Sequence, residues 1–247
     1  MKDKLINSLS DEVSMNVRVG NGEVLLGGGG DADDSSPVDK RLVEQIGDDA
    51  TMGYIPVAMP SKRYPDCMEW ITSVFERYGL TNIEMWPDLT EVTTETVADV
   101  SAIYIGGGNT YRLLNKVRTT GLDTLLYEFV SDGGALYGGS AGAIICGETI
   151  ETTPDENRAG IVDTTGLGLF PTTDIWCHYE PNDAVPQYVT DTGRTVIAIP
   201  ERSGVSVTET RYKIVGHEPI RVFQNGNKTM YSPGEHFRLS ETTDTTS

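Results

Sequence analysis

The residues with the most chemical promise are Gly138-Gly139-Ser140-Ala141-Gly142, a serine at the centre of a G-x-S-x-G spacing. The short apolar run Ala135-Leu136-Tyr137 before it predicts a buried strand, and residues 141–146 are small and apolar enough for a core helix. A serine at such a joint stands in a sharp turn. Glycines on either side remove the Cβ atoms that would clash there, so the hydroxyl is presented rather than packed away. The helix that follows would bring unpaired N–H groups and a positive dipole end to an oxyanion developing beside the serine. The chemistry indicated is nucleophilic acyl transfer; a glycine-rich turn that merely contains a serine is the alternative.

A serine hydroxyl is a weak nucleophile at neutral pH and needs a base beside it. The chain holds three histidines, His178, His217 and His236. His178 follows the apolar run Ile175-Trp176-Cys177, at a predicted strand end where side chains reach a site at the carboxyl edge of a sheet. It is the favoured base, which in turn needs an acceptor to fix its tautomer. Glu201 ends the apolar run Val196-Ile197-Ala198-Ile199-Pro200 and is the candidate acid, with an ordinary exposed strand-terminal carboxylate as the alternative. An oxyanion hole requires two preorganised donors. One is the N–H of Ala141, directly after the nucleophile, and the second is sought in Gly106-Gly107-Gly108, where a substrate can approach bare backbone. A phosphate cradle is disfavoured there, because no Lys-Ser/Thr pair follows the glycines.

The elements that must position these groups alternate. Strands are predicted at 23–26, 52–59, 83–86, 102–105 and 135–137, with helices at 38–46, 64–78, 94–100, 111–117 and 122–130. Ser36 and Pro37 supply cap and first-turn residues for the first helix, and residues 27–30 are four glycines that stop the first strand. Such alternation predicts a parallel sheet covered by helices on both faces. After the serine helix the pattern changes: residues 149–166 read as loop, and short strands are expected at 173–177, 195–199, 205–207, 212–215 and 220–223. Asn225-Gly226 signals a hairpin. One domain over residues 21–239 is expected, with a mobile extension at 1–20 and a disordered Ser/Thr/Glu tail at 240–247.

Composition excludes several classes. The 37 acidic against 19 basic residues give a net charge of −18, which makes nucleic acid and anionic membranes poor partners. There is no apolar run of membrane-spanning length and no signal-peptide pattern at the start, so a soluble cytoplasmic protein is expected. The three cysteines, Cys67, Cys146 and Cys177, are widely spaced and read as reduced core residues rather than a disulfide or zinc framework. Sparse lysine and abundant Asp, Glu and Thr suggest a salt-rich cytoplasm, where ions screen the self-repulsion; an ordinary acidic enzyme is the other reading.

Two blocks make a family resemblance specific. Tyr104-Ile105-Gly106-Gly107-Gly108-Asn109-Thr110-Tyr111-Arg112-Leu113-Leu114, followed by Gly134-Ala135-Leu136-Tyr137-Gly138-Gly139-Ser140-Ala141-Gly142-Ala143, resembles peptidase family S51. That family holds the aspartyl dipeptidases and the cyanophycinases, and the similarity covers residues 50–207. The resemblance implies a three-layer α/β/α sandwich of the class I glutamine amidotransferase-like (flavodoxin-like) type, with extra short strands near the C-terminus. It also implies Ser140 as nucleophile, His178 as general base, Glu201 as orienting acid, and Gly108 and Ala141 as oxyanion donors. Asp155 and Asn109 would contact substrate, Asp155 holding its α-ammonium, with a solvated loop acid as the alternative at Asp155. Neither cofactor nor metal is implied; the partner is a small peptide, and the chain is a monomer or homodimer. The interval between His178 and Glu201 departs from the dipeptidase pattern, being short and acidic where the dipeptidases carry a longer segment with an arginine. Preference for an amino-terminal aspartate is therefore left open against another first residue, and Arg158, Arg194 and Arg202 are the candidate cations for an acidic side chain. Two other functions compete: a glutaminase of the amidotransferase type, which would need a cysteine at the elbow, and a binding protein that kept the pocket without turnover.

Overall fold

The computed structural model describes residues 19–181 and 184–239. The expected tail at 240–247 lies outside them, as does the expected extension up to residue 18; Val19, by contrast, is fully buried in the core. Among the described residues no helix is long and apolar enough to cross a membrane.

Five strands form the parallel centre: β1 (Glu23–Gly27), β2 (Thr51–Ile55), β3 (Asn82–Met85), β4 (Ala102–Ile105) and β5 (Ala135–Gly139). They lie in the order β1-β5-β4-β2-β3, every neighbouring pair parallel. Their connections are α1 (Ser36–Ile46), α2 (Tyr64–Glu76), α3 (Thr94–Ala98), α4 (Thr110–Thr120) and α5 (Leu122–Ser131), with the single turn α6 (Ala141–Ile144) after β5. Both faces are covered, so the strands read as continuous apolar runs whose side chains alternate between two cores. Leu25, Tyr54, Tyr104 and Tyr137 pack towards α1 and α2, whereas Val24, Leu26, Ile103 and Leu136 pack towards α4 and α5.

The C-terminal third supplies the short strands expected there and adds a helix and a division into two sheets. It contributes β6 (Thr173–Trp176), α7 (Ala184–Thr192), β7 (Thr195–Ala198), β8 (Ser203–Thr208), β9 (Arg211–Gly216), β10 (Ile220–Gln224), β11 (Asn227–Tyr231) and β12 (His236–Phe237). Strands β8, β9 and β12 extend the main sheet antiparallel on the β1 side. The other four build a separate sheet in the order β11-β10-β7-β6, whose β6–β7 pair is parallel. One face of this sheet, through Ile175, Ile197 and Ile220, joins the main core. Its other face packs on α7 through Val196, Ala198 and Phe223.

The unexpected helix α7 contains Pro186, Val185 and Val189, residues that weaken any helical pattern. Tertiary contacts form it instead: Val185 is fully buried, and the Tyr188 ring meets Trp176 edge-on while its hydroxyl donates to Asp174 at 2.7 Å. Two further differences are local, and one signal is borne out. Strand β2 stops at Ile55 because Pro56 starts a turn closed by Met59 N–H to the Pro56 carbonyl. The serine helix has one turn rather than the six residues expected. The Asn225-Gly226 signal holds, with both residues at positive φ (52° and 73°) in the β10–β11 hairpin, as a type I′ turn requires.

One buried ion pair locks α1 to the sheet. Glu23 is 1% exposed and accepts two hydrogen bonds from Arg41, each 2.9 Å, and a third from Ser206. Removing one partner leaves an uncompensated buried charge. Arg41→Met is therefore expected to lower the unfolding free energy by about 3 kcal/mol, read by urea denaturation, while Lys40→Met, whose pair with Glu44 is exposed, should change it by under about 0.5 kcal/mol.

Candidate active site

The parallel register brings the carboxyl ends of β1, β5, β4 and β2 to one edge, pairing Gly27 with Gly139 and Ile105 with Gly138. Ser140 follows β5 there with φ 51° and ψ −113°, a backbone state that a residue with a side chain rarely adopts. The β6–β7 pair ends beside it. His178 lies just past β6 and shares the positive φ, at 51°, while Glu201 sits in the turn closed by Ser203 N–H to the Pro200 carbonyl.

These three side chains form a relay. Ser140 Oγ lies 2.8 Å from His178 Nε2, and His178 Nδ1 lies 2.7 Å from Glu201 Oε1. With a carboxylate on Nδ1, that nitrogen carries the proton and Nε2 is left as the acceptor for the serine hydroxyl. The His178 and Glu201 side chains are 44% and 54% exposed, so the relay opens to solvent at the sheet edge.

Four consecutive glycines, read from the sequence only as a strand stop, prove to hold the relay together. The Gly27 carbonyl accepts the N–H of Ser140 at 3.1 Å, and the Gly28 carbonyl accepts the N–H of His178 at 2.9 Å. Gly28 N–H in turn donates to Ser203 at 2.9 Å, two residues after Glu201. This strap links the segments of Ser140, His178 and Glu201 through backbone alone. Gly29 has φ 105°, and a Cβ there would stand 2.5 Å from the His178 ring and 2.9 Å from Ser140 Cβ. The signal for this role was available as the length of the glycine run, which exceeds what a strand stop needs.

The oxyanion candidates lie on two segments beside Ser140: Ala141 follows it directly, and Gly108 follows Gly107, where a Cβ would lie 3.2 Å from Ser140 Cβ. Ala141 N–H opens α6, where no intrahelical acceptor exists, and neither it nor Gly108 N–H donates a hydrogen bond among the described residues. A one-turn helix contributes little macrodipole, so any anion held here would depend on the local N–H groups rather than on the dipole. The loop after β4 is pinned by Gly106 N–H to the Ile55 carbonyl and by Asn109 N–H to the Ala58 carbonyl. Gly108, with φ 139°, presses on the backbone of Ala58, where a Cβ would approach to 2.8 Å.

Asp155 and Asn109 are joined to this loop and not, by any hydrogen bond, to Ser140, His178 or Glu201. Asp155 Oδ2 accepts from Thr110 N–H at 2.7 Å, from Thr110 Oγ1 at 2.8 Å and from Thr153 Oγ1 at 3.0 Å. Asn109 caps α4 through Oδ1 to Arg112 N–H at 2.9 Å and donates from Nδ2 to the Glu156 carbonyl at 3.0 Å. Together they clamp the 149–166 loop onto the oxyanion segment. The three arginines considered for an acidic substrate side chain are all paired within the protein: Arg158 with Glu156 at 2.7 Å, Arg194 with Asp174 at 3.6 Å, and Arg202 with Asp34 at 3.1 Å and Glu218 at 3.4 Å.

The thiols do not compete with the serine. Cys146 is fully buried, its Sγ donates to the Gly142 carbonyl, and burial pushes its thiol up to about 12. Cys177 turns below the elbow, towards the Gly27 and Ser140 carbonyls at 3.6 and 3.5 Å, and burial raises it as well. A glutaminase with a cysteine nucleophile has no residue to use here.

A serine–histidine–carboxylate relay at the carboxyl edge of a three-layer α/β fold defines a class of hydrolase by its geometry. The comparisons make the class particular. The sequence matches Peptidase family S51 over residues 24–215, and the chain belongs to that family of peptidases. Similar curated proteins are a peptidase E of Nostoc sp., 26% identical over 199 residues covering 75% of this chain and 81% of that one, and a peptidase E of Citrobacter koseri, 28% identical over 208 residues covering 76% and 86%. The fold is similar to that of a peptidase from an acI-B1 actinobacterium, with a TM-score of 0.72 at 20% identity, covering 90% of this chain and 99% of the other.

Proposed function

We propose that the protein is a serine peptidase that hydrolyses small peptides, dipeptides with a free amino end, through an acyl-enzyme on Ser140. The observation that carries this reading is the 2.8 and 2.7 Å relay from Ser140 through His178 to Glu201. Ser140 Oγ attacks the scissile carbonyl carbon while His178 Nε2 takes its proton, and the resulting oxyanion is received by the N–H groups of Gly108 and Ala141. The carbon–nitrogen bond breaks as His178 returns the proton to the leaving amine. Water, activated by the same imidazole, then releases the acyl group and regenerates the serine. Glu201 holds the ring and balances the imidazolium formed in each half-reaction. Asp155 is assigned to the substrate α-ammonium through Oδ1, which accepts no hydrogen bond among the described residues, while Oδ2 stays on Thr110.

The reading places the enzyme in the cytoplasm and its −18 charge in a salt-rich one. A fluorophosphonate probe should label wild-type protein at Ser140. A free dipeptide should turn over at least about a hundredfold faster than its N-acetyl form, given the strength of a charge-assisted contact to the ammonium. Equal rates on the two substrates would refute the free-amine requirement, and an unlabelled serine would refute the nucleophile. Running both assays from dilute buffer to molar KCl should show higher activity in salt.

A further inference from the structure

The layer beneath the elbow holds a carboxyl group that the mechanism above does not use. Asp39, in α1, is 1% exposed. Among the described residues it has no ion-pair partner: Arg77, the cation that senses it, is committed to Asp33 at 2.8 Å. Three contacts surround it. The Tyr137 hydroxyl is 3.0 Å from Oδ1, Ser35 Oγ is 2.7 Å from Oδ2, and the same Ser35 Oγ is 2.9 Å from the carbonyl oxygen of Asp31.

Two contacts of Ser35 Oγ, to Asp39 and to the Asp31 carbonyl that Ser35 N–H already reaches at 2.9 Å, share one hydroxyl proton, and a protonated Asp39 satisfies both. A serine hydroxyl has one proton to give, and a carbonyl oxygen only accepts. If Ser35 gives its proton to Asp31, the 2.7 Å contact between Ser35 and Asp39 has no proton unless the carboxyl supplies it. Tyr137 donates to the other oxygen, as its hydroxyl is held protonated by burial. We propose that Asp39 is a positioning residue for the triad, held as a neutral carboxylic acid that donates a hydrogen bond to Ser35 and accepts one from Tyr137.

Both ends of the glycine strap rest on this acid. Tyr137 packs against the first strap residue, since a Cβ on Gly27 would lie 3.1 Å from its hydroxyl. Gly27 and Gly28 are the residues whose carbonyls hold the N–H groups of Ser140 and His178. At the other end the Ser35–Asp31 contact closes the turn that follows Gly30. The groups facing Asp39 are Ser35 before α1, Tyr137 from β5, Tyr104 from β4, and Arg77 and Tyr78 just past α2. Burial raises the carboxyl to about 7 against the opposing hydrogen bonds of Ser35 and Tyr137 and the charge of Arg77. The phenols of Tyr78, Tyr104 and Tyr137 are all raised too, so Asp39 is the member of the group that ionises first as pH rises. Its carboxylate would draw the Ser35 proton away from Asp31, leaving that carbonyl to the Ser35 N–H alone and loosening that end of the strap.

The positioning role rests on Ser140 being the nucleophile, and the test separates the two. Asp39→Asn keeps an acceptor for Tyr137 and a donor for Ser35 while removing the ionisation. Infrared difference spectra between wild type and D39N at pH 6 should show the carbonyl band of a protonated carboxyl in wild type alone. The fluorophosphonate labelling rate of D39N should equal that of wild type at pH 6 and exceed it about tenfold by pH 9, the scale expected when catalytic groups drift by a fraction of an ångström. Asp39→Ala should label slowly at every pH. No protonated band, or a D39N to wild-type ratio that stays flat with pH, overturns the proposal. A wild-type Ser140 that never labels overturns the nucleophile and the positioning role with it, while the band still decides the protonation of Asp39.

Discussion

Ser140→Ala, His178→Ala and the double variant are expected to lose nearly the same factor in kcat, about a million-fold, because members of a relay act as a unit and their removals do not add. The reason lies in the geometry. The serine has no other base among its hydrogen-bond partners, and the histidine no other role at the sheet edge. Glu201→Gln should cost less, about ten-thousand-fold, since the relay then loses its tautomer but keeps its positions. Steady-state hydrolysis of a free dipeptide measures all four, with thermal melts to establish that each variant is folded. A Ser140→Ala protein with wild-type turnover would remove the mechanism altogether; losses that multiply in the double variant would show two independent contributions instead of one relay.

Gly29→Ala is expected to lower kcat/KM by about a hundredfold or more without removing any reacting group. The added methyl would meet the His178 ring at 2.5 Å and Ser140 Cβ at 2.9 Å, distances no Cβ tolerates, and the φ of 105° strains alanine as well. Either the imidazole turns away or the strap moves, and each outcome breaks the 2.8 Å contact. Gly121→Ala is the control. It carries a comparable positive φ, 75°, but nothing lies within 4 Å of the added atom. Its cost should be about 1 kcal/mol of stability with activity unchanged. Similar activity losses in the two variants, read alongside chemical denaturation, would assign the Gly29 effect to backbone strain rather than to the base.

Asp39 also has a stability consequence with a definite sign. A carboxyl that titrates near 3.8 in the unfolded chain and about 7 when folded binds its proton more tightly in the native state. Stability on its account is therefore full below about pH 4, falls as pH rises towards 7, and is flat above; the sum is roughly 4 kcal/mol. The D39N variant described above lacks that slope, so its advantage over wild type in melting temperature should grow between pH 4 and 7.

Much of the fold and of the relay was readable from local pattern. The strand at 102–105 was expected at its observed bounds, and the glycine spacing around Ser140 announced a strained turn that the structure places at φ 51°. His178 and Glu201 were reachable because each ends an apolar run. Their meeting was not, since it depends on the parallel pairing of β6 with β7 in a sheet of its own, a long-range choice that no short window encodes. The length of the glycine run marked 27–30 as more than a strand stop, but which N–H groups the Gly27 and Gly28 carbonyls accept depends on the same long-range pairing. Helix α7 was hidden by proline and valine, and its packing on Trp176 and Asp174 overrode propensity. The three arginines looked free because sequence shows charge but not partners, and Glu156, Asp174, Asp34 and Glu218 neutralise them.

The division of the relay between two sheets has a consequence for the order of synthesis. Ser140 and both oxyanion segments are translated with the first sheet, whereas the histidine and glutamate arrive later and meet the serine only after β6 and β7 have paired and β8 has docked antiparallel on β1. Domains gather structure as the chain emerges, and the early part exists for a time without the rest. On the proposed mechanism the elbow has no proton acceptor during that interval, so a nascent or clipped copy ending before residue 178 is expected to be inactive and its Ser140 unlabelled by a fluorophosphonate. Competence then arrives with the closing strands.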